Sequence, residues 1–251
     1  MYKSIDIIIP NYNNANFLDQ SIQSVINQTF KNWKIYIVDD SSTDNSKDVI
    51  LKYKNNKKIK FFFLKKNRGP SYCRNYAISK SKSHLIAFLD SDDFWSKEKL
   101  SKQISFMKKN KLLFTFTDYI PFINTSEKYL KKTNIKKTFN YKEFTYDSSI
   151  GTSTMIIKRS LIKNIKFKNT NIMEDYVFKC DILRKKKVYS TKLGIPLTYY
   201  RILKGSRNSN KLRNLFTLWK LNKKYNNLNM LQNIYSVIMI SINSIRKYGL
   251  K

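Results

Sequence analysis

The sequence predicts an α/β fold, a mixed and mostly parallel β-sheet flanked by helices, with a C-terminal helical extension. Two observations support this prediction. In the first half, short apolar runs rich in β-branched or aromatic residues alternate with amphipathic helical patterns. Such alternation requires right-handed crossovers, which give a parallel sheet covered on both faces. From residue 211 onward the pattern is helical to the end of the chain.

The elements follow in a regular order. Strand-like runs occupy residues 5–9, 35–38, 59–64, 85–89, 112–117, 154–158 and 198–201. A first helix is predicted where Leu18, Ile22, Val25 and Ile26 share one face, and further helices cover residues 45–54, 70–80, 97–109 and 174–186. Ser96 is expected to cap the helix at 97–109, with Glu98 in its first turn. Residues 127–140 predict a polar, Lys-rich loop.

The C-terminal region carries an apolar stripe at helical spacing, which is more typical of a helix that faces the core or a partner than of a membrane anchor. The stripe consists of Leu231, Ile234, Tyr235, Ile238, Ile242 and Ile245. Polar residues interrupt this region, so it falls short of the roughly 20 apolar residues that a membrane-spanning helix needs. The apolar run near the N-terminus is also too short for a signal peptide. We therefore expect a cytoplasmic protein.

The formal net charge of +32 allows three interpretations. The lysines are spread along the chain with abundant Asn, Ile, Tyr and Phe, which favours codon composition and a solvated surface. The other two are attraction to an anionic membrane or lipid-linked acceptor, and nucleic-acid binding. The two cysteines, Cys73 and Cys180, have no disulfide or metal-site spacing, so we expect buried thiols in a reducing compartment.

Acidic residues follow two predicted strands. Asp39 and Asp40 end the run at 35–38, and burying two unpaired acids is costly, so they should face a polar cleft. Capping of the next helix accounts for Ser42, Thr43 or Asp44 but not for Asp40, which could accept the imide N–H of a uracil. After the run at 85–89, three acids stand within four positions, Asp90, Asp92 and Asp93. A hard cation such as Mg²⁺ or Mn²⁺ would neutralise them.

Two more segments carry candidate chemistry. Glu174 and Asp175 begin a predicted helix, so they either compensate its dipole or include a general base. Arg68, Gly69 and Arg74 lie where a loop enters a helix, and free N–H groups with arginines at such a point suit a phosphate or a carboxylate. Alternatively, Arg74 pairs with an acid such as Asp40 or Asp92.

Other catalytic classes have less support. The single histidine, His84, precedes a strand and predicts a surface or strand-edge position rather than a catalytic triad. The sequence contains neither a P-loop nor a G-x-G-x-x-G fingerprint, which disfavours P-loop and dinucleotide enzymes.

Taken together, these segments resemble the family 2 glycosyltransferases, inverting enzymes with the GT-A fold. The matching stretches are IIIPNYN at 7–13, VDDSSTD at 38–44, NRG at 67–69, RN at 74–75, FLDSDD at 88–93 and ED at 174–175. The resemblance implies a GT-A domain at 1–206, with a nucleotide-binding half at 1–118 and an acceptor-binding half at 119–206. Residues 207–251 would form a basic helical extension.

The resemblance also implies a role for each matched residue. Pro10 and Tyr12 would line the nucleoside pocket, and Asp40 would read the base. Arg74 would lie near the base or diphosphate, and Asp90 would hold the ribose or the water molecules of a metal ion.

Two carboxylates would carry the chemistry that the resemblance implies. Asp92 would ligate Mg²⁺ or Mn²⁺, and Asp175 would deprotonate the acceptor hydroxyl, so that attack opposite the leaving nucleotide inverts the sugar. Supporting roles fall to Asn67, Arg68, Ser91, Asp93, Glu174, Arg201 and Lys204.

One residue departs from the family pattern. Relatives carry Tyr-Arg-x-His-x-x-Ser, whose histidine helps to bind the metal, whereas this chain has Leu203 at that position. Leucine cannot ligate a cation, so Arg201 or Lys204 could neutralise the diphosphate instead.

We therefore expect transfer of a sugar from a nucleotide-sugar donor, a UDP-sugar, to a glycan or lipid-linked acceptor in cell-surface polysaccharide synthesis. Basic and apolar residues at 211–224 predict peripheral contact with the anionic inner face of the cytoplasmic membrane. Nucleic acid is not expected as a partner. The alternative is a catalytically silent sugar-nucleotide or membrane-binding module with the same fold.

Overall fold

The computed structural model describes residues 4–123, 128–129, 136–203 and 211–248. Its first half alternates strands and helices, as the apolar runs predict. In chain order the elements are β1 (Ile5–Asn11), α1 (Ala15–Ile26), β2 (Trp33–Asp39), α2 (Ser46–Leu51), β3 (Ile59–Phe63), α3 (Pro70–Lys80), β4 (Leu85–Phe88), β5 (Phe94–Trp95) and α4 (Lys99–Lys109).

The second half is less regular. It contains β6 (Phe114–Ile123), β7 (Lys128–Tyr129), β8 (Thr138–Phe139), α5 (Tyr141–Thr145), a 3₁₀ turn (Thr152–Thr154), β9 (Ile156–Lys158), a second 3₁₀ turn (Arg159–Ile162), α6 (Glu174–Lys186) and β10 (Ser190–Arg201). At the end of the chain, α7 (Lys211–Leu221) runs into a π-helical turn (Asn222–Asn226) and is followed by α8 (Met230–Tyr248).

Within the described ranges, the strands form one mixed sheet of ten strands. The order is β3-β2-β1-β4-β9-β6-β10-β5, with β7 paired to β6 and β8 to β10. The strands β3, β2, β1 and β4 are mutually parallel. The short β9 runs antiparallel between β4 and β6, and β10 is parallel to β6. The predicted mixed, mostly parallel sheet is therefore confirmed.

Helices cover both faces of the sheet. Side chains of β1 alternate between two apolar clusters, with Ile8 in one and Ile7 and Ile9 in the other. The first cluster packs against α3, α6 and α7, and the second against α1, α2 and α4. Because β1 is buried on both sides, its sequence is a continuous apolar run rather than an alternating one.

The structure corrects several predicted boundaries. Helix α2 is shorter than the predicted 45–54, and β6 continues six residues beyond the predicted 112–117. Strand β10 begins at Ser190, eight residues before the predicted 198, because its pairing to β6 continues across register shifts beside Pro196. Pro196 lacks the N–H that a regular ladder uses, so it interrupts the apolar pattern. Two short strands, β7 and β8, lie within the predicted loop at 127–140.

Two helix predictions were also wrong. Ser96 does not cap α4: the helix begins at Lys99, and Glu98 is the N-cap residue, without a side-chain capping bond. The backbone of Ser96 instead follows β5 and accepts a hydrogen bond from the side chain of Gln28. The C-terminal helical region is divided, since α7 and its π-helical turn end before Asn227, which has a positive φ of 52°.

Candidate active site

The candidate residues gather where β1, β2 and β4 end. These strands are parallel neighbours, so their carboxyl ends share one edge of the sheet. Asn11 ends β1, Asp39 ends β2, and Asp90 follows β4 by two residues. Polar side chains from three separate parts of the sequence therefore meet at this edge.

Asp39 organises the first two loops at this edge. Its Oδ2 accepts hydrogen bonds from Asn11 Nδ2 and Ser42 Oγ, both at 2.7 Å. Its Oδ1 accepts a 3.0 Å bond from the backbone N–H of Ser42. Ser42 Oγ in turn accepts the N–H of Asn13, which has a positive φ of 50°. The two loops are therefore held together by a buried carboxylate.

Asp40 lies beneath the loop that enters α3. Its Oδ1 accepts the backbone N–H of Arg68 and its Oδ2 that of Gly69, each at 2.7 Å. Gly69 has a φ of 81°, a conformation that a side chain would disfavour, and precedes Pro70 at the start of α3. The free N–H groups predicted to suit a phosphate or a carboxylate thus bind a carboxylate of this chain. A nucleotide base could use only the remaining lone pairs of Asp40.

The acidic loop after β4 contains carboxylates in three different environments. Asp90 is partly exposed, and its Oδ1 accepts a 2.6 Å bond from Arg74. Asp93 is buried, and its oxygens accept bonds from Ser153 Oγ and the backbone N–H of Arg201. Burial and the nearby charges of Asp92 and Asp90 raise the pKa of Asp93 well above its usual value. Asp93 is therefore a structural acid that anchors the loop.

Asp92 is the carboxylate of this loop without protein partners. Among the described residues, no other residue donates a hydrogen bond to its side chain. Burial, and then the charge of Asp90, raise the pKa of Asp92 to about 6. The nearby charges of Arg201 and Arg74 offset these effects only in part, and a bound cation would further stabilise the ionised carboxylate.

The residues present fit a cation held by a single protein carboxylate. No group of three His, Cys, Asp or Glu side chains in the described part of the chain could hold a metal ion. Asp90 and Asp93 already have protein partners, and Leu203 offers no ligand atom. Asp92 would therefore be the anchor, and oxygens of a bound diphosphate and water would complete the coordination.

Arg74 joins the two halves of the site. Its Nη2 donates to Asp90 and its Nη1 donates at 2.8 Å to Glu174, which begins α6 one hundred residues later. Burial alone would lower the pKa of Arg74, but the charges of Asp90 and Glu174 offset this and raise it. The side chain is 5% exposed, and its Nε has no hydrogen-bond partner among the residues that the structure describes. The predicted ion pair of Arg74 exists, but its partners are neither Asp40 nor Asp92.

Asp175 projects from the first turn of α6. The helix follows Met173, whose positive φ of 61° turns the chain sharply into it. Oδ2 of Asp175 accepts bonds from Thr152 Oγ1 at 2.8 Å and Lys179 Nζ at 2.6 Å. Among the described residues Oδ1 has no hydrogen-bond partner, and the side chain is 33% exposed. Burial would raise its pKa, but the Lys179 ammonium and the more distant Arg74 hold the pKa of this carboxyl well below its usual range.

The 3₁₀ turn Thr152–Thr154 connects the acidic loop with α6. Thr152 binds Asp175, while the Oγ of the next residue, Ser153, donates to Asp93 and accepts the N–H of Asp90. Two neighbouring residues of this turn therefore hold the acidic loop that carries Asp92 and the carboxylate of Asp175.

Arg201 closes the other side of the acidic loop. Its Nε donates to the backbone oxygen of Asp92 at 2.7 Å, and Nη2 donates to Gln20. The guanidinium lies 4.3 Å from the ring centroid of Phe17 and 4.4 Å from that of Phe122. This position fixes the loop, since guanidinium groups stack well on aromatic faces.

The remaining predicted residues lie around this centre. Pro10 is buried in β1, and Tyr12 just beyond it is 46% exposed. Asn67 and Arg68 are exposed, and the Arg68 guanidinium stacks 3.9 Å from the ring centroid of Tyr72. Ser91 is buried and accepts a bond from Asn14. Lys204 lies outside the described residues.

Sequence reasoning missed two residues of the site, Lys179 and Gln20, and it missed the bond from Thr152 to Asp175. Lys179 carried a usable signal, because it stands four positions after Asp175 in a predicted helix and that spacing brings an acid and a lysine together. Thr152 and Gln20 reach the site only through the fold of distant segments.

Comparison with known proteins assigns the fold and its chemistry to a family. The model of the family described as glycosyl transferase family 2 matches residues 6–166. The chain belongs to this family. It is a glycosyltransferase, as the ordered set of sequence motifs predicted.

Individual glycosyltransferases resemble the chain over most of its length. It is 35% identical to the Escherichia coli UDP-Glc:alpha-D-GlcNAc-diphosphoundecaprenol beta-1,3-glucosyltransferase WfaP, over 84% of this chain and 82% of that protein. S. aureus TarS 1–349 in complex with UDP-GlcNAc has a similar fold, with a TM-score of 0.74 at 19% identity, covering 97% of this chain and 73% of that one.

A second solved structure shows the same fold with a different nucleotide. The mannosyltransferase PcManGT from Pyrobaculum calidifontis, in complex with GDP-Man and Mn²⁺, has a TM-score of 0.69 at 11% identity, covering 98% of this chain and 76% of that one. The two structural likenesses confirm the GT-A fold of this family 2 glycosyltransferase.

Proposed function

We propose that this glycosyltransferase moves a sugar from a UDP-sugar to a hydroxyl of a lipid-linked or polysaccharide acceptor, with inversion at the anomeric carbon. The observation that supports the proposal is the state of Asp175. This carboxylate is ionised and is oriented through Oδ2 by Thr152 and Lys179; its side chain is partly exposed, and Oδ1 accepts no hydrogen bond from the described residues. A fixed carboxylate with one free oxygen is suited to accept a proton from an acceptor hydroxyl.

A low pKa is compatible with this role. Asp175 is too weak a base to ionise a free alcohol, but it can take the proton late, when the oxygen is already bonding to the sugar carbon. Attack from the side of Asp175, with the leaving diphosphate on the side of Asp92, inverts the configuration. A divalent ion at Asp92, when bound, would offset the charge that develops on the leaving diphosphate.

The nucleotide assignment rests on the positions of three residues and on the donors named for two similar proteins. Pro10, Tyr12 and Asp40 lie at the edge where β1 and β2 end, beside the acidic loop, which suits a nucleoside next to a diphosphate. A donor with uracil is consistent with the UDP-sugars named for WfaP and the TarS complex. The lipid-linked acceptor is likewise proposed from WfaP, whose name gives a diphosphoundecaprenol substrate.

The location of the protein follows from the same proposal. No helix in the described part of the chain is long and apolar enough to cross a membrane. We propose a cytoplasmic protein that contacts the anionic inner face of the membrane peripherally, where lipid-linked acceptors are found.

The test compares Asp175→Asn and Asp92→Asn with the matched control Asp48→Asn, an exposed acid on α2. Each protein is assayed for binding and transfer of UDP-sugars, with and without Mn²⁺. We expect Asp175→Asn to bind donor normally and to lose about 10²–10⁴-fold in turnover, the range for a general base. Asp92→Asn should lose the metal dependence of donor binding, and the anomeric configuration of the product, read by NMR, should be inverted.

The competing possibility is a silent sugar-nucleotide-binding module, which Leu203 favours because it replaces a metal-binding histidine. Metal-independent donor binding without transfer to any acceptor, unchanged by Asp175→Asn, would replace the enzyme proposal with this one.

A further inference from the structure

Helix α8 has an inverted distribution of polar and apolar side chains. The face that packs on the protein carries the buried polar residues Asn233 and Ser236, with Val237 and Ile240 partly buried beside them. The face that points to solvent carries the predicted apolar stripe. A surface helix in water normally has the opposite arrangement.

The polar residues on the inward face of α8 are hydrogen-bonded within the protein. Asn233 Oδ1 and Ser236 Oγ both accept hydrogen bonds from Asn222 Nδ2. Ser236 Oγ also donates to the backbone oxygen of Thr145 at 2.5 Å. Because these bonds fix the rotation of α8, the apolar face cannot turn inward without leaving buried polar groups unpaired.

The outward face is apolar over the length of the helix. The exposed fractions are 78% for Leu231, 51% for Tyr235, 50% for Ile238 and 43% for Ile245. The same face includes Ile234 and Ile242, which are also exposed. Six exposed apolar side chains on one face of a helix mark an interaction site. Of the roles weighed for the stripe, a place in the core is therefore ruled out, and a role facing a partner or a membrane is left.

The charge around this face identifies the kind of partner. After Asp181 the sequence contains no Asp or Glu, so every charged side chain there is a lysine or arginine. Lys223, Lys224 and Arg246 are exposed near the two ends of α8. A second copy of a chain with net charge +32 would bring like charges together. An anionic phospholipid surface attracts the basic residues and accepts the apolar ones.

We propose that α8 lies in the interface of an anionic phospholipid bilayer, with the stripe from Leu231 to Ile245 as its docking face. The helix is not apolar enough to span the bilayer, which agrees with an orientation parallel to the membrane. This proposal rests on the peripheral membrane contact of the proposed function and names the surface that makes it, whereas the proposed sugar transfer is independent of it.

The docking face is connected to the acceptor side of the site. Tyr235 contacts Tyr146 edge to face, and Asn243 donates to Asp147. The chain then continues from Asp147 to Thr152, which binds Asp175. A bilayer on α8 would therefore contact a helix that is joined, through residues 146–152, to the segment that binds Asp175.

The test is cosedimentation with vesicles of phosphatidylcholine, alone or with about 30% phosphatidylglycerol, since the anionic lipid supplies the surface potential. The wild-type chain should pellet only with the anionic vesicles, and less at high salt. Ile238→Gln combined with Ile245→Gln should weaken partitioning by at least about tenfold. Ile195→Gln, which changes an isoleucine on β10 that is 38% exposed, should have no effect.

Two further variants and the oligomeric state of the wild-type chain distinguish the possible outcomes. Lys223→Gln with Lys224→Gln should weaken binding to anionic vesicles and reduce its salt dependence. If the double isoleucine variant does not fold, Leu231→Gln, at the most exposed position of the stripe, repeats the test. Failure of the wild-type chain to bind anionic vesicles at low salt overturns the proposal. So does a wild-type dimer that Ile238→Gln/Ile245→Gln converts to a monomer, because a second copy then covers this face.

Vesicle binding and sugar transfer are measured in separate experiments. If the chain binds anionic vesicles but transfers no sugar, the docking proposal stands and the proposed sugar transfer fails. If the chain transfers sugar in solution but does not bind vesicles, the transferase proposal stands and the docking proposal fails.

Discussion

At the scale of single residues, Asp175 and Lys179 form the pair on which the proposed chemistry depends. Lys179 Nζ is almost fully buried and donates to Asp175 Oδ2 and to the backbone oxygen of Ile150, both at 2.6 Å. The lysine therefore fixes both the position and the charge of the carboxylate. A neutral residue at 179 would leave Asp175 in place on α6 but remove its nearest cation.

Lys179→Met is expected to alter the pH profile of turnover. Asp175 has a lowered pKa, so its ionised form persists as the pH falls. Removing the lysine raises that pKa, and the acid limb of kcat/KM should move upward by about one pH unit or more. Loss of activity should therefore be larger at pH 5 than at pH 7.5. The measurement is the pH dependence of UDP-sugar transfer.

Two control variants distinguish the effect of the Lys179 charge on Asp175 from a general effect of removing a lysine from α6. Lys179→Arg keeps the positive charge and should restore part of the acid limb. Lys185→Met, at an exposed lysine near the end of the same helix, should leave the profile unchanged. An acid limb that stays in place in Lys179→Met would show that this lysine does not set the ionisation of the base.

At the scale of elements, α4 contains a buried lysine without a carboxylate partner. Lys99 is fully buried, and its Nζ donates to Gln103 Oε1 at 2.8 Å and lies 4.3 Å from the ring centroid of Trp95. No ion pair to Lys99 occurs within the described part of the chain. Burial lowers the pKa of Lys99 to about 7, so the folded state disfavours its charged form.

Lys99→Met should therefore stabilise the protein at neutral pH and change the pH dependence of stability. Between pH 7 and the normal lysine pKa of about 10.4, the unfolded chain binds more protons at this residue than the folded one. The free energy of unfolding of the wild type should thus rise with pH over that interval, by up to about 1.4 kcal/mol per unit from this residue. Urea unfolding at several pH values measures the slope.

The control for this prediction is Lys108→Met, which removes an exposed lysine from the same helix. It accounts for the general relief of positive charge as the pH rises. Equal slopes for Lys99→Met and the wild type would mean that Lys99 stays charged when folded.

Elements whose structure is set locally were the ones that the sequence predicted well. The apolar runs of β1, β2 and β4 identify strands buried on both faces, and the acids that follow them mark the site edge. Strands β5 and β8, each two residues long, carry no periodic signal and exist only because β10 pairs with them. The partners of Arg74 were equally hidden, since Glu174 comes from a segment whose approach depends on the whole sheet.

At the scale of the whole molecule, the C-terminal helices are joined to the main core rather than attached at its surface. Leu218 and Leu221 of α7 belong to the same apolar cluster as β4 and α6. The expected division between residues 206 and 207 falls within 204–210, outside the described residues, and stays a prediction. The packing nevertheless indicates that α7 and α8 unfold together with the sheet.

A buried polar network makes this connection specific. Oδ1 of Asn222 accepts bonds from the Tyr176 hydroxyl at 2.7 Å and from Asn226 Nδ2 at 2.9 Å. Its Nδ2 donates to Asn233 and Ser236 of α8. One side chain thus links α8 to α6, at the residue directly after Asp175.

Asn222→Ala should destabilise the entire molecule, because it leaves several buried partners of the amide unpaired. We expect a loss of about 2–4 kcal/mol in the free energy of unfolding, against almost none for Asn55→Ala at an exposed position. If the helices and the sheet form one cooperative unit, hydrogen exchange should accelerate equally in α8 and in β1, since both then exchange through global unfolding. Faster exchange in α8 alone would instead show that the C-terminal helices open independently. The docking face would then rest on an element that can detach from the catalytic core.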